Sequence, residues 1–204
     1  MYVIGAGGHA KVIIDIIQES NEIIQGVLDE KNCDKEIMGI PIIGDYKSFV
    51  IHEGAFGIIA IGNNRERKEI SRFLKSVKFV KIIHYTSFIS KTTIIGEGTV
   101  IMSNVSVNAS SIIGSHVILN TNSSIDHDCI IENFVHISPN VALAGNVKIG
   151  EGTHIGIGSA IIQGVKVGKW ATIGAGTVII RDVPDYAVVV GNPGKVIKFN
   201  VNEE

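Results

Sequence analysis

Two rhythms of apolar and polar positions divide the chain. From Ile89 onward an aliphatic residue recurs at every sixth position without a slip, through Val107, Leu119, Ile125, Ile137, Ile149 and Val167 to Ile179. Four residues after each stands a small or β-branched residue, among them Thr99, Ser111, Val117, Ser123, Cys129, Thr153, Ser159 and Ala171. A six-residue beat of this kind predicts a parallel β-helix, in which three hexads close one triangular coil and about five coils stack. Residues 1 to about 85 follow another pattern. "MYVIG", "GVLD", "IPIIG", "FGIIAIG" and "FVKII" read as short strands, "KVIIDIIQES" repeats its aliphatic residues at helical spacing, and "RERKEISRFLKS" is a charged amphipathic helix. The expected organisation is a small Rossmann-like parallel α/β domain over 1–85, a β-helix over 86–185 and a closing segment over 186–204.

Composition narrows the function. With 23 glycines and 6% aromatics, the core is filled by Ile and Val and turned by Gly, as repetitive β structure requires. A formal net charge of -2, without a basic stripe, argues against nucleic acid as a partner. No run approaches about 18 uninterrupted apolar residues, so no membrane insertion is expected. The N-terminus enters a strand-like segment directly, without a charged leader, so the protein is expected to stay in the cytoplasm. Cys33 and Cys129 are too few and too separated for a disulfide framework, and both are expected to be reduced.

Candidate chemistry lies in two stretches. "GAGGHA", Gly5 to Ala10, matches G-x-G-x-x-G/A between a strand and a helix, and Asp29 follows at the end of the next strand. A dinucleotide fold needs two mononucleotide halves, and this domain has room for one. A single nucleotide is therefore expected, its phosphates at the helix N-terminus. The second stretch is "NTNSSIDHDC", residues 120–129, where His127 stands between Asp126 and Asp128. With an ordinary pKa of about 6.5, a histidine takes a proton at neutral pH, and a carboxylate on its other nitrogen would fix the tautomer. Either aspartate offers one. His136 and His154 lie one coil apart on the same face; His116 and His154 are expected to be solvated and inert.

"GAGGHAKV", the acidic pair Asp29-Glu30, "AIGNN" at 60–64, "ILNTNSSIDHDC" and "GNVKIG", in this order ahead of and within a hexapeptide array, resemble the PglD- and NeuD-like bacterial nucleotide-sugar N-acetyltransferases. Hexads such as "IGEGTV" and "IGAGTV", and the tail "VPDYAVVVGNPGKVI" with Gly194 where Ala is common, resemble the wider left-handed β-helix acyltransferases. The resemblance implies left-handed coiling, a homotrimer with active sites between subunits, and acetyl-CoA as acetyl donor without a metal. Its acceptor would be a nucleotide-linked amino sugar, a 4-amino-4,6-dideoxyhexose, in surface-glycan or glycoprotein synthesis. It maps His127 onto the general base, Asp126 onto its acidic neighbour and Gly145 onto an oxyanion donor. Gly7, Gly8, His9, Asp29, Glu30 and Gly62 map onto positions holding the nucleotide sugar, and Asn120 onto one positioning substrate. His136, Ile157 and Ala175 map onto positions lining acetyl-CoA, with Ala175 replacing a glycine of the family pattern. Rival readings are sugar O-acetylation of the sialic acid type, a non-catalytic nucleotide-sugar scaffold, and zinc held by histidines at a subunit interface, as in the γ-class carbonic anhydrases.

Overall fold

The computed structural model describes residues 1–20, 22–30 and 35–200, so Cys33 lies outside the described residues. The chain divides into two compact units, Met1–Ile82 and Ile83–Glu204.

In the first unit, strands β1 (Tyr2–Ile4), β2 (Gly26–Leu28), β3 (Glu36–Ile37), β4 (Ile40–Gly44), β5 (Phe56–Ile59) and β6 (Lys78–Phe79) form one sheet, in the order β3-β4-β2-β1-β5-β6. All pairings are parallel except the short β3–β4 hairpin. The central strands β1, β2 and β5 are almost continuously apolar because residues on both of their faces are buried. Helix α1 (Gly8–Glu19) buries Ala10, Ile13, Ile14, Ile16 and Ile17, the spacing of one helical face. Helix α2 (Asn64–Phe73) begins at Asn63, whose side chain accepts from the N–H groups of Arg65 and Glu66. Two details depart from the sequence pattern. The β3 strand carried no periodic signal, and "FVKII" is two strands: Lys78–Phe79 ends the α/β sheet, while Ile82–Ile83 opens a sheet of the β-helix.

The second unit is a parallel β-helix built from two-residue strands six residues apart, arranged in three sheets. The first sheet contains Ile118–Leu119, His136–Ile137 and His154–Ile155; the second contains Ser124–Ile125 and Ala142–Leu143; the third contains Ile130–Ile131 and Lys148–Ile149. Register advances by 18 residues per coil, so Val107, Ile125, Leu143, Ile161 and Ile179 stack directly. From Ile101 to Ile179 every residue on the six-residue beat is at most 3% exposed and joins one core. Burying each such side chain contributes about 1.5–3 kcal/mol.

From Gly98 to Gly176 each corner between sheets carries a left-handed residue, among them Asn104, Asn122, Asp128, Asn140, Asn146 and Gly152. The small inward residue of each corner fills the vertex. At Thr99, Ser111 and Thr153 its hydroxyl bridges successive coils: Ser111 Oγ donates to Asp126 O (2.8 Å) and accepts from Cys129 N (3.1 Å). That clamp holds both ends of the corner carrying His127. Ala187–Val190 extends the first sheet in parallel with Thr172–Ile173 and pairs antiparallel with Lys195–Phe199. Among the described residues no helix is long and apolar enough to cross a membrane.

Candidate functional site

In the first unit, Gly5 to His9, Asp29, Ala60, Ile61, Gly62 and Glu66 line a cavity of about 530 Å³. The loop bends at Gly5, whose φ of +110° and closeness to Ile61 exclude a side chain. Gly7, Gly8 and Gly62 differ: a Cβ at any of them would meet nothing within 4 Å, so packing within the chain does not demand glycine there. Bare backbone at the mouth of a cavity suits close approach of a ligand. The N-cap of α1, Gly7, offers no side-chain hydrogen bond, and the first turn holds no acid, so the helix presents its N–H groups and positive dipole end to the cavity. Asp29 Oδ2 accepts from Ala6 N at 2.6 Å and so pins the loop. His9 is held neutral at pH 7: burial, reinforced by the Arg67 charge, pulls its pKa down to about 4. Glu30 does not line this cavity. Its carboxylate accepts from Tyr46 Oη (3.1 Å) and pairs with Lys47 Nζ (2.8 Å).

In the second unit, His127 occupies the corner between the second and third sheets, its side chain 59% exposed. Its Nδ1 lies 2.7 Å from Asp128 Oδ2. Asp128 is the left-handed residue of this corner, with φ +60°, and that turn brings its carboxylate back to the imidazole. Asp126, the neighbour favoured by resemblance, braces the backbone instead, because its Oδ1 accepts from His127 N (2.8 Å) and Asn108 Nδ2 (2.9 Å). The Asn108 bond, followed by that from His127 N, holds its pKa below the usual carboxylate value. The bond to Asp128, followed by the Asp126 charge, raises the pKa of His127. One coil on, Gly145 lies under the ring; a Cβ there would be 2.6 Å from both Cε1 and Nε2 of His127.

The remaining candidates sit elsewhere on the coil. Asn120, Ile157 and Ala175 occupy the corner between the first and second sheets, and His136 the outer face of the first sheet. Asn120 Nδ2 is 3.2 Å from His136 Nε2, and Asn120 Oδ1 accepts from Thr121 N. The His136 ring stacks on His154 at 4.8 Å, and His154 Nε2 meets Ser138 Oγ at 2.8 Å. Ile157 is 52% exposed, an apolar side chain left in solvent at a corner. His116 is not solvated as expected. It is 5% exposed and stacked on Phe134, because its left-handed position folds the ring over the neighbouring coil. Among the described residues no three His, Cys, Asp or Glu side chains gather as a metal site. Cys129 is a buried free thiol.

Sequence reasoning missed Glu66 and Arg67. Both belong to a run, "RERKE", that reads as a solvated face. The available signal was spacing, since Arg67 shares a helical face with Ile70 and Leu74.

The β-helix of six-residue repeats, carrying a small N-terminal α/β unit, matches a left-handed β-helix acetyltransferase fold. The family model described as "PglD N-terminal domain" matches residues 1–74, and "Bacterial transferase hexapeptide (six repeats)" matches 146–181. Among solved structures, a histidine-to-alanine mutant of GDP-perosamine N-acetyltransferase from Caulobacter crescentus, in complex with CoA and GDP-perosamine, is 33% identical, with a TM-score of 0.90 over 97% of this chain and 96% of that one. The acetyltransferase domain of PglB from Neisseria gonorrhoeae, in complex with acetyl coenzyme A, is 37% identical, with a TM-score of 0.90 over 96% and 98%. Curated relatives match over shorter spans. UDP-N-acetylbacillosamine N-acetyltransferase of Bacillus subtilis is 37% identical over 109 residues, 50% of this chain and 50% of that protein, and an uncharacterised mimivirus protein is 30% identical over 54% of this chain and 23% of its own length. The chain belongs to the PglD-like sugar N-acetyltransferases.

Proposed function

We propose that this protein transfers the acetyl group of acetyl-CoA to the amino group of a nucleotide-linked amino sugar, a 4-amino-4,6-dideoxyhexose, in the cytoplasm, for surface-glycan or glycoprotein assembly. The observation that carries this reading is the His127 imidazole, fixed by Asp128 at Nδ1 and lying against Gly145. With the Nδ1 proton committed to the carboxylate, Nε2 keeps its lone pair and can accept a proton. An amine attacks a thioester as the free base, and its nitrogen sheds a proton as the tetrahedral intermediate forms or collapses. Nε2 takes that proton, and Asp128 stabilises the imidazolium. The thiolate of CoA leaves and acquires a proton. The Gly145 N–H is the proposed donor to the oxyanion. No metal is required, because the thioester is already activated.

The nucleotide would occupy the cavity of the first unit, its diphosphate on the glycine loop. Acetyl-CoA would lie along His136, Ile157 and Ala175, with Asn120 positioning substrate. His127 and the corner bearing Asn120, Ile157 and Ala175 are separated by one side of the triangle, up to about 20 Å for six extended residues. Two chains side by side can bring one corner of each together, which supports a homotrimer with sites between subunits.

The reading is tested by incubating the protein and acetyl-CoA with UDP-, dTDP- and GDP-linked amino sugars and following thiol release. Turnover on an amino sugar that collapses in His127→Ala is expected. Response to hydroxyl acceptors alone, or undiminished turnover in that variant, would overturn the reading.

A further inference from the structure

The cavity of the first unit poses an electrostatic problem for a diphosphate. Two carboxylates, Asp29 and Glu66, line it, and among the described residues no lysine or arginine does. His9 is neutral at pH 7. The N-terminus of α1 offers the equivalent of roughly half a positive charge. Two negative side chains against half a positive charge would repel an anionic ligand.

Arg67 lies behind the wall. It is 1% exposed, and its guanidinium donates to Ile61 O (3.0 Å), Gly62 O (3.2 Å) and Asn64 Oδ1 (2.9 Å). Ile61 and Gly62 line the cavity, whereas Arg67 does not. The two carbonyls bonded to it are therefore directed into the protein. In a trans peptide the N–H points opposite to its C=O, so the same bonds turn the N–H groups of Gly62 and Asn63 away from the guanidinium. The Arg67 charge also reaches His9 in the first turn of α1, whose pKa it lowers after burial. Burial draws the pKa of Arg67 down to about 9, which leaves it charged at neutral pH.

We propose that Arg67 is a positioning residue for the diphosphate of the nucleotide: its buried guanidinium turns the 61–62 carbonyls away from the cavity and supplies the positive charge beneath it. This rests on the nucleotide reading given above. It extends that reading by assigning the anion's counter-charge to α2, from behind the wall, in addition to the glycine loop. Both carbonyls accept from Nη1 and Asn64 from Nη2, so a lysine, with one nitrogen, keeps the charge but cannot reproduce the whole fork, and charge and orientation are separable.

Calorimetry on the full chain tests this, using UDP, dTDP and GDP with their nucleosides and the variants Arg67→Met and Arg67→Lys. Arg67→Met should weaken the diphosphate by about tenfold or more while the nucleoside changes by about twofold or less. Arg67→Lys should recover part of the loss. Equal weakening of diphosphate and nucleoside, or no weakening, would overturn the inference and leave the nucleotide reading intact. If wild-type protein binds none of the diphosphates, both fall. Should Arg67→Met fail to fold, nuclear magnetic resonance of the wild-type guanidinium decides: its signals should move with diphosphate and not with nucleoside, and unmoved signals under diphosphate overturn the proposal.

Discussion

Gly145 lies one coil beyond His127, and a Cβ placed on it would be 2.6 Å from the imidazole Nε2. The glycine leaves room for the ring, and the ring in turn covers the glycine. Gly145→Ala keeps an ordinary backbone, since no left-handed φ is required there, but must displace the imidazole. A displacement on the order of 1 Å costs about 100-fold in rate. We expect kcat to fall by about that factor with a melting temperature close to wild type; undiminished kcat would show that the ring position is unimportant.

The two aspartates beside His127 should separate cleanly. Asp128→Asn offers an amide N–H to Nδ1 and so drives the ring proton onto Nε2, removing the base. Turnover should drop by about 10²–10⁴-fold. Asp126→Asn retains an oxygen for both His127 N and Asn108 and should cost less than about tenfold. Steady-state kinetics of the two variants side by side decides, and the reverse order would return the orienting role to Asp126.

The pH dependence follows from the direction of the His127 shift. Its pKa is raised, first by the Asp128 hydrogen bond and then by the Asp126 charge, so the neutral base accumulates only above the ordinary value of 6.5. The rate should climb through that raised pKa and level off on the alkaline side. In Asp128→Asn the climb, measured on the residual activity, should move to lower pH.

His9 affects stability in the opposite sense to a paired histidine. Its folded pKa is about 4 against 6.5 in the unfolded chain, so between these values the unfolded state binds more protons. Stability is therefore lost as pH falls from 6.5 to 4, by up to about 3 kcal/mol from this group. Urea midpoints at pH 7, 5.5 and 4.5 should decline less in His9→Gln than in wild type; parallel declines would remove His9 as the cause.

Gly8→Ala isolates ligand approach from folding. The free protein has space for the methyl group, and alanine at the first position of α1 favours the helix. Thermal stability should hold or rise slightly, while the KM for the nucleotide sugar increases about tenfold or more. An unchanged KM would mean that the ligand does not approach the loop there.

The β-helix was legible because its rule is local. One aliphatic and one small residue per hexad bury themselves in the same way at every repeat, and no distant partner alters that. The glycine loop was legible for a similar reason, as a strand, a turn and a helix contiguous in sequence. Asp128 shows where local reading stopped. Both aspartates flank His127, and only the left-handed φ of the corner, imposed by coil geometry, aims one carboxylate at the ring. Arg67 sits in a charged run, and its burial depends on the carbonyls of the preceding turn being within its reach.

By itself, then, the sequence determined the two-unit architecture, the position of the glycine loop and the corner on which His127 stands, because each follows from periodicity or from neighbours within a few residues. Tertiary structure decided which carboxylate holds the imidazole, that Gly145 lies beneath it, and that Arg67 is buried behind the 61–62 turn. Those relationships depend on stacking at 18-residue intervals and on packing directions, and side-chain identity along the chain does not encode a direction in space until the backbone has closed.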